Sequence, residues 1–173
     1  RGRPPPPDAD TADVSAEALK AKADELGIKY ESAYGKGRMI DTLYKKTVRQ
    51  KLIQPCFLVG HPIEVSPLAK TDPKHPKKVL RFQPIAVKSE LGNGFAELND
   101  PLDQRRRFEE QMRLRAEGDD EGMMLDEDFL EALEYGMPPA FGFGMSERLF
   151  AILMNRSIRE TVIFPPMKGK NRG

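Results

Sequence analysis

The ten residues 92–101, GNGFAELNDP, leave the chain little conformational choice. Small or apolar residues alternate with an amide, a ring and a carboxylate, and Asp100-Pro101 then stops the alternation. Period-two alternation predicts a strand with two unlike faces. An Asp followed by Pro predicts a helix that starts at once, with Asp100 as its N-cap. Asn93, Phe95 and Glu97 share one face of the strand. Gly92, Gly94, Ala96 and Leu98 share the other, where small side chains let something pack closely behind. A carboxylate beside an amide and a ring suits a ligand with an ammonium group. The carboxylate supplies charge and acceptor oxygens, and the ring covers an aliphatic stem or meets the cation. A sheet with one wet face has the same alternation, so spacing alone leaves both readings open.

Around this strand the sequence predicts a mixed fold. Residues 1–14 are rich in Pro and Asp and read as a loop or disordered segment. Ser15 caps a helix that Gly27 ends. A second helix is expected over residues 38–51. Residues 52–63 contain a short apolar run, read as a buried strand, with Cys56 as a small buried apolar residue. Residues 71–78 (TDPKHPKK) read as a polar loop. Residues 79–87 and 90–98 read as a hairpin turning near 87–89. The helix after Asp100 is highly charged, with Phe108 and Met112 as its anchors. Residues 118–123 form a loop, and Asp126 opens a further helix that Gly136 closes. A Gly-rich strand, AFGFGM, leads into the helix SERLFAILMN. A last helical turn and a strand, SIRETVIFPP, precede a basic tail at 169–173. The strongest strand pair is antiparallel, so the class is α+β: helices packed on a mostly antiparallel sheet.

Composition narrows the function. The 173 residues suggest one domain. A formal net charge of +1 argues against a protein whose main task is to coat nucleic acid. One cysteine allows no internal disulfide and fits a reducing, cytosolic setting. No apolar run is long enough to span a bilayer, and RGRPPPP reads as no signal peptide. His61 and His75 lack partners at metal-ligand spacing and read as structural or surface residues. Gly142 and Gly144 permit close backbone approach before a helix, and Arg148 in its first turn suits a phosphate or a base.

Four segments together resemble class II lysyl-tRNA synthetase. They are KLIQPCFLVGHPIEVSPLAK at 51–70, GNGFAELNDPLDQRRRFEEQ at 92–111, DEDFLEALEYGMPP at 126–139, and residues 142–167. They stand in the family's order and cover most of 15–168, the C-terminal half of the catalytic domain. The resemblance implies an antiparallel sheet flanked by helices in a cytoplasmic homodimer. It also implies activation of lysine with ATP and Mg²⁺, and transfer to tRNA(Lys). Carried over by motif, Asn93, Phe95 and Glu97 line the lysine pocket. Glu90 binds Mg²⁺ and ATP, and Arg148 clamps ATP as the catalytic arginine of the third motif.

The departures from the family are specific. Gln83 stands where the family has a second metal-binding glutamate. The third motif is one residue short ahead of Glu147-Arg148. Strict alternation puts Glu90 on the opposite face from Glu97, so both reach one site only through a bulge or strong twist. The family's anticodon-binding barrel and first two motifs have no counterpart here, so an N-terminal half is expected to be missing and this piece alone to be inactive. The alternative is a non-catalytic synthetase-like module that binds lysine or a partner protein.

Overall fold

The computed structural model describes residues 13–119 and 122–164. The expected segments 1–12, 120–121 and 165–173, including the basic tail, lie outside the described residues. Helix α1 (Ala16–Glu25) is capped by the Ser15 hydroxyl, which accepts from the Ala18 N–H, and Gly27 leaves it at φ +64°. Its Leu19 and Ala23 meet Met39 of α2 (Lys36–Leu43), with Ile28, Tyr34 and Leu43 around them.

The regular helix expected through 51 stops at Leu43. Residues Tyr44–Val48 form a π turn and Arg49–Lys51 a 3₁₀ turn. The Thr47 hydroxyl donates to the Leu43 carbonyl at 2.7 Å and so competes for a backbone acceptor. The Arg49 N–H reaches back to the Tyr44 carbonyl, five residues earlier. This places Arg49 nearly above Tyr44, on one side of the segment.

The main sheet is antiparallel, in the order β1 (Cys56–Val59), β4 (Arg81–Ala86), β6 (Gly92–Ala96), β7 (Phe141–Met145), with β5 (Ser89–Glu90) also paired to β4. The expected loop 71–78 is instead a small hairpin of β2 (Thr71–Asp72) and β3 (His75–Val79). The Asp72 carboxylate turns it by accepting from the Lys74 N–H and bonding the His75 ring. Pro76 is tolerated because it lies in the register shift between the Asp72–His75 and Thr71–Val79 pairs, where no residue of β2 faces it.

β4 and β5 join through Val87-Lys88, both at positive φ, as a two-residue turn that fits the strand twist requires. The amides of the turn donate to the Ile53 and Leu52 carbonyls, which hold this otherwise strained backbone. The register then shifts. Ile85 faces Glu90, but Phe82 faces Gly94, so one extra residue lies between β5 and β6. Pro84 is the cause. In an antiparallel strand a residue points its N–H and C=O the same way. The Pro84 carbonyl accepts from the Leu91 N–H, so its missing N–H also faces this stretch and the ladder breaks there.

Asp100 caps α3 (Pro101–Ala116) by accepting from the Leu102 and Asp103 N–H groups. Phe108 is buried as expected, but Met112 is exposed. Arg107 anchors the helix in its place. It donates to the Ala69 carbonyl, the Thr71 hydroxyl and Asp103, each at 2.7 Å. Phe108 meets Phe129 of α4 (Glu127–Glu134) edge-on. Helices α5 (Glu147–Met154) and α6 (Ile158–Thr161) close the described chain. Residues 162–164 form bends, and the strand expected there is absent among the described residues. No helix among the described residues is long and apolar enough to cross a membrane.

The expected buried strand at 52–63 is shortened to β1, and most of it is exposed. Cys56 is exposed, and Phe57 keeps 68% of its surface. β1 is an edge strand, and no described element packs over the face that holds Phe57 and Val59.

Candidate functional site

Directly opposed residues of paired strands share a face. The bulge therefore gathers Arg81, Gln83, Glu90, Asn93 and Phe95 on one face of the sheet, with Glu97 following in alternation. The parity conflict between Glu90 and Glu97 is resolved by the extra residue near Leu91. β7 sets its two face-sharing glycines against the same row: Gly144 opposes Asn93, and Gly142 opposes Phe95. A Cβ on Gly142 would lie 2.8 Å from Glu97 Oε1, so this glycine makes room for the carboxylate.

Asn93 is oriented by Arg81, whose Nε donates to Asn93 Oδ1 at 2.8 Å. That leaves the two amide hydrogens of Asn93 for a ligand. Arg81 is itself fixed by the Val65 carbonyl at 3.0 Å and the Ser66 hydroxyl at 2.8 Å. Here the turn in HPIEVSPLAK has a use: it holds the arginine that holds Asn93. Glu97 is half-buried, and none of the described residues gives it a hydrogen bond or ion pair. Burial pushes its carboxyl above the ordinary glutamate value. A carboxylate held this way is a place for a cation that the described residues do not supply.

Glu90 contrasts with Glu97. Arg49 Nη1 donates to Glu90 Oε1 at 3.0 Å, and Gln83 Nε2 donates to Oε2 at 3.3 Å. The Gln83 carbonyl then faces His61 Nε2 at 3.0 Å, which puts the His61 proton on Nε2. His61 is buried, and burial, with Arg81 nearby, holds its pKa below the usual histidine value. Among the described residues the buried hydroxyl of Tyr44 has no hydrogen-bond partner. Burial, then the Glu90 charge, pushes the Tyr44 phenol up. Tyr44, His61, Arg81, Gln83 and Glu90 line a cleft beneath the 36–48 segment. Asn93, Phe95 and Glu97 do not line that cleft and lie on the open part of the face.

Arg148 stands in the first turn of α5, where the Ser146 hydroxyl caps its N–H at 3.3 Å. The Ser146 N–H donates to the Leu91 carbonyl at 2.9 Å, which hangs this helix start on the bulge beside Glu90. The Arg148 side chain is exposed, and no hydrogen bond or ion pair joins it to Glu90 or to another described residue. The structure thus brings Glu90, Asn93, Phe95 and Glu97 onto one face and leaves Arg148 at its margin.

A Mg²⁺ ion is expected at Glu90, and the donor set does not fit one. Beside a nucleotide Mg²⁺ is held by one or two carboxylates together with phosphate oxygens and waters, and of the two expected positions only Glu90 carries a carboxylate. The second ligand position carries the amide Gln83, and each Glu90 oxygen already accepts from a donor, one of them cationic. Mg²⁺ demands near-octahedral oxygen ligation and favours charged carboxylates.

Sequence reading misses Arg81 and Arg49, and takes His61 as a structural or surface residue; it is buried and bonded to Gln83. The π turn that aims Arg49 leaves no simple pattern. Pro84, in the middle of a strand, was the available signal for the bulge.

Known proteins bear on this arrangement. The family described as tRNA synthetases class II (D, K and N) matches residues 12–168. A lysine–tRNA ligase of Moorella thermoacetica is 47% identical over 158 residues, 90% of this chain and 32% of that protein. Those of Leuconostoc citreum and Oceanobacillus iheyensis are each 46% identical, over 90% and 91% of this chain and 32% of each relative. The chain therefore spans about a third of the length of the curated relatives it matches.

Proposed function

The chain belongs to the family of class II tRNA synthetases (D, K and N), and from that premise we propose that it is the lysine-holding part of a lysine–tRNA ligase. The observation that carries the reading is Glu97: a half-buried carboxylate with no cation among the described residues, beside an aromatic ring and an amide with free hydrogens. In this reading the lysine ammonium pairs with Glu97, Phe95 covers its methylene stem, and Asn93 donates to its polar end. Pairing with a cation offsets the burial cost that raises the Glu97 pKa.

The site holds the amino acid so that its carboxylate oxygen attacks the α-phosphorus of ATP. The bond from that phosphorus to the bridging oxygen breaks, and pyrophosphate leaves with lysyl-adenylate formed. The hydroxyl oxygen at the tRNA end then attacks the lysyl carbonyl carbon and gives up its proton, the bond from that carbon to the phosphate oxygen breaks, and AMP leaves. Arg148, hung on the bulge, lies on the ATP side with Glu90 and contributes positive charge where negative charge develops. The rest of the pocket, tRNA(Lys) recognition, the homodimer contact and a cytoplasmic location belong to the complete protein in this proposal.

A second reading, a synthetase-like module that binds lysine without ligating it, draws on two observations. Arg148 makes no side-chain contact among the described residues, and Glu90 is tied to Arg49. Lysine-dependent exchange of pyrophosphate into ATP by the complete protein decides between them. Exchange is expected. Lysine binding without exchange would establish the module instead.

A further inference from the structure

We propose that Arg49 is the resident counter-ion of Glu90, and that its guanidinium takes the charge position where the family leads one to expect a divalent metal. The proposal rests on the reading above in placing Glu90 on the ATP side of the site, but its test does not require ligase activity.

The π turn presents Arg49 and Tyr44 on one side of their segment, because the Arg49 N–H returns to the Tyr44 carbonyl. That side faces Glu90: Arg49 meets one carboxylate oxygen at 3.0 Å, and the Tyr44 ring stands close enough to feel the charge. The other oxygen accepts from Gln83, whose own carbonyl is engaged by His61. Gln83 is therefore positioned to donate to Glu90. A carboxylate at 83 would instead set two negative charges side by side against the His61 N–H and Glu90, an arrangement that calls for a metal. With an amide at 83 and a guanidinium at 49, Glu90 is balanced by the protein alone. Arg49 Nε is buried without a hydrogen-bond partner among the described residues. Its position is thus set by the Glu90 contact and the turn rather than by a second anchor. A planar guanidinium that already carries its counter-ion is also suited to meet a phosphate oxygen with its remaining N–H groups. The consequence is a site whose Glu90 does not ligate a divalent ion.

The test counts Mn²⁺ bound to the complete protein by electron paramagnetic resonance, with and without a non-hydrolysable ATP analogue. Glu90→Gln is expected to leave the count and affinity of the wild-type protein unchanged in both conditions. Arg49→Gln combined with Gln83→Glu is expected to gain one site, at least about tenfold tighter than any at that place in the wild type. Glu90→Gln in that background is expected to remove it. Loss of an ion from the wild-type protein on Glu90→Gln overturns the proposal, as does failure of the folded double variant to gain a site. The first comparison needs only a carboxylate-to-amide change, so it stands even if the double variant does not fold. Failure of lysine-dependent exchange alongside unchanged Mn²⁺ counts would overturn the ligase reading and leave Arg49 as the counter-ion.

Discussion

The two faces of the main sheet use pairs of glycines for opposite ends. On one face Gly92 and Gly94 admit rings. A Cβ on Gly94 would lie 2.9 Å from the Phe82 ring and 3.0 Å from Phe143. Phe82 stacks against Phe141 and Phe143, with centroids 5.8 and 5.7 Å apart, and meets Phe57 edge-on. On the other face Gly142 and Gly144 keep space open before Glu97 and Asn93. The aromatic face is stabilised by contact and still exposes Phe57, Val59, Phe141, Phe143 and Met145. The polar face is held by one chain of hydrogen bonds from His61 through Gln83 and Glu90 to Arg49, and by Arg81 bonding Asn93, Val65 and Ser66; among the described residues it leaves Glu97 without a counter-charge. The contrast teaches where function sits: one face is built to pack, the other to be completed by a cation.

Gly142→Ala should break the comparison most severely. The new methyl displaces the Glu97 carboxylate, and lysine-dependent pyrophosphate exchange should fall about a hundredfold, as expected for a misplaced binding group. Thermal stability should change little, because the atom displaced is the end of a flexible side chain. Gly94→Ala is the counterpart. It crowds two rings and a backbone carbonyl, and should lower stability by about 1–3 kcal/mol in denaturant melts. Lysine affinity of the folded fraction should remain. If the two variants exchange these effects, the division of labour between the faces is wrong.

The polar face also makes a prediction in pH. His61 is held neutral by burial, so its folded pKa lies below the ordinary 6.5. As pH falls through that value the unfolded chain takes the proton first, and stability declines. The decline levels off below the folded pKa. His61→Gln should flatten this part of the stability curve, and melts at a series of pH values between about 7.5 and 5.5 check it. The smallest effect belongs to the exposed aromatic face. Phe57→Ser should reduce binding of an apolar dye to the 173-residue chain and leave lysine binding by the complete protein unchanged.

Short-range signals carried most of this architecture. The strand at 92–96, the Asp100 cap and the Gly-rich strand before α5 follow from side-chain period and capping chemistry within a few residues. What failed depended on neighbours. Cys56 and Phe57 read as buried because their run is apolar, but an edge strand with an uncovered face exposes them. Pro76 argued for a loop, yet it falls in the register shift of the hairpin, where its missing N–H breaks no ladder bond. Asn93 and Phe95 lie on β6 and Glu97 directly follows it, so alternation alone sets the three on one face. Arg49, Arg81 and His61 come to it from other elements, through a π turn, a bulge at Pro84 and a turn at Ser66 that no local period reveals.

Lysine titration of the complete protein by calorimetry, with Glu97→Gln and the analogue norleucine, which lacks the ammonium, tests the central claim most directly. The wild type should bind lysine, and Glu97→Gln should weaken that binding by about 1–3 kcal/mol, the worth of a charge-assisted hydrogen bond. Norleucine should bind both proteins equally poorly. Wild-type affinity should rise with pH as the Glu97 carboxyl, raised by burial in the free site, ionises. Equal lysine affinity in wild type and Glu97→Gln, or equal affinity of the wild type for lysine and norleucine, would contradict the account.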